Sequence, residues 1–341
     1  MNQAERRVAL VKNEGDLAAA IRAALTEAGL LSRISRQTRV ALKPNLTYPF
    51  HKPGVTTTPE FVRAAVRVLR DYTDHLAVVE SDGGYGAWDA EEALQGHGLY
   101  ELEKEFGIKV VNLCDGPSEQ LTFHSGRRIR TVPLPVRLTK ETDLLLSLPV
   151  PKIHCMTGVS LAYKNQWGCV PDRMRLRRHY VFDDAIVAIN QALRPAVLAD
   201  GTWFLDRNGP LWGAPLRMDL VVAATDAGAA DLYLSELMGF PWRKSPHLRR
   251  AVKLGDMPAR LDAIRFNVDP RTARTHVFSL RRTPRNWIAW AAFKSRFLTW
   301  LGYESWLGRV VLHGILYAMV GKPVPERAQQ GPRPHDPDPG T

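Results

Sequence analysis

The amino-acid sequence predicts an α/β fold, in which a mostly parallel sheet is flanked by helices and followed by a helical, Trp-rich C-terminal segment. Two patterns support this prediction. Through the first half, short apolar runs rich in Val and Leu alternate with longer runs whose apolar residues recur at helical spacing. After about residue 245 the chain becomes apolar, aromatic and basic instead. Strands that alternate with helices form right-handed βαβ units, which build a parallel sheet.

Each element of the first half has a local signal. Thr58 can cap a helix and Pro59 suits its first turn, which predicts that a helix begins there. Gly96 and Gly98 are expected to divide the third helical run. The predicted strands are 7–12, 38–46, 75–84 and 108–114, and the predicted helices are 15–31, 58–72 and 89–107.

The middle of the chain adds a β-hairpin and several more strands. The run 121–135 predicts a hairpin that turns at Ser125 and Gly126. The run DLLLSLPV predicts a fully buried strand at 142–150, and Gly239 is expected to close a helix. The remaining predictions are strands at 195–201, 218–226 and 275–283, and helices at 157–168, 174–193 and 227–239.

The length of 341 residues allows one large or two modest domains. We assign residues 1–245 to the α/β domain and 246–322 to a C-terminal helical or mixed segment. Residues 323–341 are polar and rich in proline, so they are expected to form a disordered tail.

Composition narrows the partners and the compartment. The formal net charge of +11 favours anionic partners: nucleic acid, an anionic membrane surface, or a phosphorylated or carboxylated small molecule. A surface that is merely rich in arginine would have the same charge. The three cysteines form no C-x-x-C pair, so they are expected to be free thiols in a reducing compartment. Neither a secretory signal nor a transmembrane run is apparent, which predicts a cytoplasmic protein.

Polar groups follow five of the predicted strands. In open parallel sheets, ligands bind beyond the carboxyl ends of the strands, so these groups could form one site. Polar residues are also ordinary at turns, and Asp-Gly is a common turn pair. Lysine is a poor turn former, which favours a functional role for the two lysines. The groups are Lys43 and Asn45, Asp82, Lys152 and His154, Asp200, and Asp226.

Three further stretches could contribute to an anion site. Thr56 and Thr57 precede a helix start, where free N–H groups and the helix dipole favour an anion, although a simple cap would explain one hydroxyl. Lys164 and Asn165 lie on a predicted helix, whose face would carry Thr157, Leu161, Lys164 and Gly168. The run 173–180, with four arginines and His179, is either an anion clamp or an exposed basic helix end.

The sequence gives only weak signals for a metal site or a catalytic nucleophile. Asp82 and Asp200, with His154 and His179, could hold a divalent ion, but no H-x-x-x-H or H-E-x-x-H spacing is present. The G-x-S-x-G elbow, the Walker motif and G-x-G-x-x-G are also absent. A cysteine nucleophile beside one of the histidines is a further alternative.

Six sequence blocks follow one another between residues 38 and 240. They are ALKPNL, GVTTTPEFVRAAVRVLRD, VVESDGG, LLLSLPVPKIHCMTGVSLAYKNQWGCVP, LADGTWFLDRNGPLWGAP and AATDAGAADLY. In this order they resemble the blocks of the bacterial and archaeal family called domain of unknown function 362. The resemblance implies that Lys43, Asn45, Thr56, Thr57, Asp82, Lys152, His154, Lys164, Asn165, Asp200, Gly201, Asn208, Gly209 and Asp226 occupy motif positions.

The resemblance also bears on redox chemistry. Many members of that family carry an iron–sulfur ferredoxin module, whereas the C-terminal third of this chain contains no cysteine. We therefore expect no iron–sulfur cluster in this chain, and a separate redox partner if the reaction is an oxidation or reduction. The ferredoxin modules are the one reason to favour redox chemistry over other enzyme classes.

The segment 285–322 replaces that module and contains four of the nine tryptophans. Its aromatic and basic residues suit an interfacial helix on an anionic membrane, but they equally suit packing on the core or at a dimer interface. Nucleic acid is a weaker candidate partner, since no recognised binding module is present.

Together these signals lead to two hypotheses. The first is an enzyme that binds an anionic small molecule, with His154, Lys152 and Lys164 as its catalytic groups and His154 as general acid or base. The second is a non-catalytic, membrane-peripheral binding or accessory protein. For the first, the expected ligand-binding residues are Lys43, Asn45, Thr56, Thr57, Asn165, Asn208, Gly209 and His179, and the candidate metal ligands are Asp82 and Asp200.

Overall fold

The structure, a computed structural model, describes residues 5–83, 88–303 and 305–312. A ten-stranded sheet runs through its centre, and a separate two-stranded hairpin lies beside it. The strands are β1 (Arg7–Lys12), β2 (Arg39–Pro44), β3 (His75–Glu80), β4 (Lys109–Asn112), β5 (Ser118–Ser125), β6 (Arg128–Pro135), β7 (Leu144–Leu148), β8 (Lys152–His154), β9 (Gly158–Ser160), β10 (Ala196–Gly209), β11 (Ala214–Ala224) and β12 (Arg265–Phe266).

The helices lie mostly between the strands, as the alternating pattern predicts. They are α1 (Leu17–Glu27), α2 (Pro59–Arg70), α3 (Ala90–Gly96), α4 (Glu101–Phe106), α5 (Val136–Thr139), α6 (Ala162–Asn165), α7 (Phe182–Leu193), α8 (Ala227–Leu237), α9 (Pro246–Lys253), α10 (Pro284–Phe293) and α11 (Arg296–Tyr303).

The strand order is β12-β1-β11-β10-β7-β2-β3-β4, with β8 paired to β10 and β9 paired to β8. From β10 to β4 every neighbouring pair is parallel, whereas β11 runs antiparallel to both β10 and β1. The predicted α/β fold with a mostly parallel sheet is thereby confirmed, and one side of the sheet is mixed.

Both faces of the sheet are covered, which explains why its inner strands are almost uniformly apolar. All five residues of β7 are buried, as expected of a parallel strand between two helical layers. Along β1, Val8 and Leu10 belong to one hydrophobic core, while Ala9 belongs to the other. Helices α1 to α4 cover the second core, and α6 to α9 contribute to the first.

Several predicted elements are confirmed and three need correction. The predicted hairpin is present and turns over Gly126 and Arg127, directly after Ser125, and the run 89–107 is divided into α3 and α4. The helix predicted over 157–168 is wrong at its start, because Gly158–Ser160 forms β9 and only Ala162–Asn165 is α-helical. Gly158 has a φ of +84°, a conformation that favours glycine and lets β8 turn back into β9. Thr157 therefore shares no helical face with Lys164.

Two further corrections concern flanking regions. The predicted helix 174–193 is a 3₁₀ segment, Arg175–Val181, followed by α7. The predicted strand 275–283 is reduced to one bridge between Leu280 and Arg207.

The chain after residue 245 returns to the main body at several points. Strand β12 extends the sheet beside β1, and Leu248 and Ala251 of α9 are buried in the first core. Helices α10 and α11 pack on the 3₁₀ segment Arg175–Val181. None of the helices within the described ranges is long and apolar enough to cross a membrane. The predicted tail, 323–341, lies outside those ranges.

Candidate functional site

The carboxyl ends of β2, β3 and β7 lie at one edge of the sheet because the three strands are parallel. Strand β8 follows β7 after three residues and pairs with β10 at the same edge. The topology therefore brings Lys43, Lys152 and His154 to one end of the sheet, as the polar strand ends predict, and it adds Glu80, which the sequence analysis did not name.

Lys43 forms a buried ion pair at this edge. Its side chain is 1% exposed, and its Nζ lies 2.7 Å from a carboxylate oxygen of Glu80. The same amine donates to the carbonyl of Pro44 at 2.7 Å. Gly168 packs directly above, since a Cβ at that position would lie 2.8 Å from the Lys43 amine. The predicted ligand-binding lysine thus has an internal counter-ion, which sequence reasoning missed.

Lys152 and His154 lie on β8 and are both buried. The Lys152 amine donates to the carbonyl of Val55. The Nδ1 atom of His154 accepts from the backbone N–H of Met156 at 3.1 Å. In a neutral imidazole this leaves the proton on Nε2, so His154 presents a donor.

Helix α6 holds Lys164 in a fixed position. At its start, the backbone N–H groups of Ala162 and Tyr163 donate to the buried carboxylate of Asp231, at 2.7 and 3.1 Å. At its end, the Asn165 amide donates to the Lys43 carbonyl at 3.1 Å. The predicted ligand-binding Asn165 therefore ties α6 to the edge of the sheet.

Lys164 itself is half-buried and differs from the other two lysines. It makes no hydrogen bond or ion pair with any residue that the structure describes. Its amine lies 6.0 Å from the ring centroid of Phe182.

His179 is stacked between two phenylalanines. Its ring centroid lies 5.0 Å from that of Phe182 and 4.7 Å from that of Phe293. Its Nδ1 donates to the carbonyl of Leu176 at 2.8 Å, so the Nε2 of the neutral ring is an acceptor.

His247, on α9, is a site residue that the sequence did not indicate. It is fully buried, and neither ring nitrogen has a hydrogen-bond partner within the described part of the chain. A buried imidazole without partners is costly, which suggests that a bound group completes its hydrogen bonding.

We call Lys152, His154, Lys164, His179 and His247 the basic cluster. Burial lowers the pKa of Lys164 to about 7 and the pKa values of His179 and His247 to about 3 each. It also lowers the pKa values of Lys152 and His154 well below their usual ranges. The charge of Lys164 adds to the lowering at each of the other four groups. None of the five contacts a carboxylate among the described residues.

The arginine-rich run 173–180 is used mainly for internal contacts. Arg173 pairs with Asp82 at 2.5 Å, and Arg177 and Arg178 pair with Asp172. Arg175 donates to the hydroxyl of Ser81 at 3.0 Å, and its charge also lowers the pKa values of Lys164 and His179. Arg175 is therefore the arginine of this run whose charge acts on Lys164 and His179.

Thr56 and Thr57 are buried and have internal partners. The Thr57 hydroxyl donates to the carbonyl of Leu148 at 2.8 Å and accepts from the N–H of Asn45 at 2.7 Å. The Thr56 hydroxyl accepts from the N–H of Lys52 at 3.0 Å. The Thr57 hydroxyl therefore ties the end of β7 to the residue that follows β2. The Asn45 side chain makes no hydrogen bond with a described residue.

The start of α2 already carries an anion, which the protein supplies. One oxygen of the buried Asp200 carboxylate accepts from the N–H of Thr58 at 2.7 Å. The other oxygen accepts from the N–H of Thr202 at 3.0 Å. The predicted anion cradle at this helix start is thus occupied by the side chain that was a candidate metal ligand.

Asp82, the other candidate metal ligand, accepts from the N–H of Ala90 at 2.9 Å in addition to its pair with Arg173. Both carboxylates therefore have structural partners. Over residues 5–83, 88–303 and 305–312, no group of three or more His, Cys, Asp or Glu side chains is arranged to hold a metal ion.

Asn208 and Gly209 lie at the end of β10, beside β8. Gly209 pairs with His154, and a Cβ there would lie 2.2 Å from the carbonyl oxygen of Ile153, so only glycine allows this approach. The Asn208 Oδ1 is buried and has no partner among the described atoms.

The C-terminal segment is anchored next to the basic cluster. Arg282 donates to the carbonyl of Cys155 at 2.6 Å, and the buried Phe293 covers His179. Two open surface cavities, of about 270 and 510 Å³, lie elsewhere on the molecule, one beside Asp143 and one beside Asp262. The site is therefore identified by the chemistry of its side chains and not by cavity size.

Comparisons with known proteins identify the family. A thylakoid-associated protein of Synechocystis sp. is 25% identical over 260 residues, which cover 72% of this chain and 77% of that protein. The lactate racemase apoprotein of Thermoanaerobacterium thermosaccharolyticum superposes with a TM-score of 0.43 and 13% identity, over 68% of this chain and 57% of that one. The chain belongs to the family described as Domain of unknown function (DUF362), whose model matches residues 40–236.

Proposed function

We propose that this protein is an enzyme that binds an anionic small molecule, phosphorylated or carboxylated, at the carboxyl ends of the parallel strands. The observation that carries the proposal is the basic cluster: two lysines and three histidines with no carboxylate contact among the described residues. A buried cation without a counter-ion is unfavourable, and a bound anion would supply the missing negative charge.

The proposed roles follow from the hydrogen bonds of each group. Lys152 and Lys164 would neutralise the anion, with Arg175 beside them. His154 would donate from Nε2, since its Nδ1 accepts from Met156, and would serve as the proton donor. Lys43 has a structural role in this proposal, because Glu80 neutralises it.

Inorganic phosphate is the simplest probe of the anion site. We expect phosphate to raise the melting temperature of the wild-type protein, and a Lys164→Gln variant to lose most of that gain. At a phosphate concentration of about 100 times the Kd, binding would raise the free energy of unfolding by about 2.7 kcal/mol. Lys104→Gln is the matched control, because Lys104 is exposed on α4. Equal stabilisation of both variants by phosphate, at constant ionic strength, would contradict the proposal.

A second candidate function is association with an anionic membrane surface. Large apolar side chains of the C-terminal helices are exposed: Trp287 by 52%, Phe297 by 64%, Trp300 by 48% and Trp306 by 70%. Basic residues accompany them, a combination that suits an interfacial helix. The relative from Synechocystis is named for its association with thylakoids, which agrees with this proposal.

Vesicle sedimentation tests this second function. We expect binding to phosphatidylglycerol vesicles, weaker binding to phosphatidylcholine vesicles, and a decrease with salt. The double variant Trp300→Ser, Trp306→Ser should lose binding. Trp212→Ser is the control, since Trp212 is 59% exposed on the main body. Equal binding by both variants would count against the C-terminal helices as the membrane contact.

A further inference from the structure

Lys164 has the least engaged amine of the three lysines near the site. The Lys43 amine is used by Glu80 and Pro44, and the Lys152 amine by the carbonyl of Val55. Lys164 has no such partner within the described residues, yet α6 is fixed at both ends by Asp231 and Asn165. The backbone at Lys164 is therefore held in place, while the hydrogen-bonding capacity of its amine is left open.

The surroundings of Lys164 favour the neutral amine. Burial is the main cause of its lowered pKa, about 7, and the positive charge of Arg175 acts in the same direction. About half of such lysines are neutral at pH 7, against roughly 0.04% of ordinary lysines. A neutral amine has a free lone pair and is a nucleophile.

Two imidazoles with opposite roles lie within electrostatic reach of this amine. His154 carries its proton on Nε2 and can donate, while the Nε2 of His179 can accept. Lys164 and His179 share Phe182 as a neighbour, since its ring centroid lies 6.0 Å from the Lys164 amine and 5.0 Å from the His179 ring. The charge of Lys164 also lowers the pKa of both imidazoles. The site therefore contains a nucleophile, a proton donor and a proton acceptor.

We propose that Lys164 forms an imine with the carbonyl group of its substrate, so that the substrate class is a carbonyl-bearing anion such as a 2-oxo acid or a phosphorylated aldehyde. This inference rests on the proposed anion site. Lys152 and Arg175 would hold the carboxylate or phosphate. Lys164, which in its protonated form would also pair with a bound phosphate, would react with the carbonyl carbon in its neutral form.

The step is balanced without any further reagent. The Lys164 nitrogen bonds to the carbonyl carbon, the nitrogen loses a proton, and the carbonyl oxygen becomes a hydroxyl. The nitrogen then loses its second proton as the C=N bond forms, and the hydroxyl leaves as water after protonation. His179 can accept the protons and His154 can donate them, so no oxidant or reductant is required.

Pyridoxal 5′-phosphate is a suitable probe, because it combines an aldehyde with a phosphate. The full chain is incubated at pH 7 with the probe, reduced with sodium borohydride, digested and analysed by mass spectrometry. We expect Lys164 to be labelled at least ten times faster than any exposed lysine, with a half-maximal rate near pH 7. Pyridoxal, which lacks the phosphate, should label it at least ten times more slowly.

Two variants and one competitor separate the possible outcomes. Lys164→Met should lose the fast label, and Lys104→Met should keep it. If phosphate stabilises the protein but Lys164 gains no fast label, the imine is excluded and the anion site stands. If phosphate neither stabilises the protein nor slows the labelling, the anion site is excluded, and the imine, which rests on that site, is excluded with it. Uniform labelling of exposed lysines, with the pH dependence of ordinary amines, would also overturn the imine.

Discussion

Lys43 and Lys164 lie near the same edge of the sheet, and they differ in what surrounds their ammonium groups. Lys43 is 1% exposed and its amine lies 2.7 Å from Glu80, so its charge is cancelled inside the protein. Lys164 is half-buried and has no carboxylate contact among the described residues. A hydrogen bond joins the two positions, since the Asn165 amide donates to the Lys43 carbonyl.

The difference teaches which of the two lysines is available to a ligand. A buried ion pair with satisfied hydrogen bonds is stable only while both partners remain, so Lys43 and Glu80 are expected to hold the strand ends in place. A buried cation without a counter-ion lowers stability in the absence of ligand, and such a cost is typical of binding sites. In the proposed function, the first lysine therefore has a structural role and the second a binding role.

The largest expected effect comes from breaking the Lys43 pair. Glu80→Gln would leave a buried ammonium without its counter-ion, and we expect the free energy of unfolding in urea to fall by about 3 to 5 kcal/mol. The double variant Lys43→Met, Glu80→Gln should recover much of this loss. Glu119→Gln is the control, because Glu119 pairs with Lys140 on the surface and should change stability little. A Glu80→Gln protein as stable as the wild type would contradict the structural assignment.

Removing the charge of Lys164 should raise the free energy of unfolding, by less than the loss of Glu80 lowers it. Its pKa is about 7 in the folded protein and near 10.5 when unperturbed, so between these values the unfolded chain binds more protons. The free energy of unfolding should therefore rise with pH across this window, and the penalty is complete below pH 7. We expect Lys164→Met to be more stable than the wild type by about 1 to 3 kcal/mol at pH 7, with the difference vanishing near pH 10.5.

Urea unfolding of both proteins at several pH values measures this difference. Lys152 also has a lowered pKa, and the charge of Lys164 contributes to that lowering, so the difference between the two curves reports Lys164 together with its effect on Lys152. Lys104→Met should follow the wild-type curve throughout. Parallel curves for wild type and Lys164→Met would show that burial does not act on Lys164 as inferred.

The sequence predicts which strands carry the site better than it predicts which charged groups pair there. The apolar runs of β2 and β7 identify inner parallel strands, and their polar ends correctly indicate the edge that gathers Lys43, Lys152 and His154. The same reasoning could have found Glu80, which ends a neighbouring strand, because parallel neighbours bring their last residues together. Pairing of this kind depends on strand order, which apolar periodicity does not specify.

Other site features depend on contacts between distant parts of the chain. Asp231 lies inside the block AATDAGAADLY, but nothing in that block indicates that its carboxylate holds the start of α6. His247 has no distinctive sequence context, and the packing of α9 on α7 brings it near His154. The threonines before α2 look like an anion cradle in isolation. Asp200, which is distant in sequence, fills that position instead. A local motif indicates which groups can bind an anion, but it does not reveal that the protein already supplies one.

The smallest expected effect concerns His247. His247 and His97 are both buried and, like the two lysines, differ in whether they have a partner in the part of the chain that the structure describes. His97 is also buried, but its Nδ1 lies 2.8 Å from the carbonyl of Ala93, whereas His247 has no partner for either nitrogen among the described residues. His97→Phe should lower the free energy of unfolding by about 0.5 to 1.5 kcal/mol, since a hydrogen bond is lost. His247→Phe should be neutral or stabilising by up to about 1 kcal/mol, because an unsatisfied polar group is replaced by an apolar ring.

Phosphate should stabilise the wild-type protein more than the His247→Phe variant. If the bound anion contacts this imidazole, His247→Phe will gain less stability from phosphate than the wild type, although it starts at least as stable. His97→Phe should gain as much as the wild type, since His97 lies outside the basic cluster. Urea unfolding of the three proteins with and without phosphate measures both effects. A His247→Phe protein that is strongly destabilised alone, and gains fully from phosphate, would make His247 a core residue and remove it from the site.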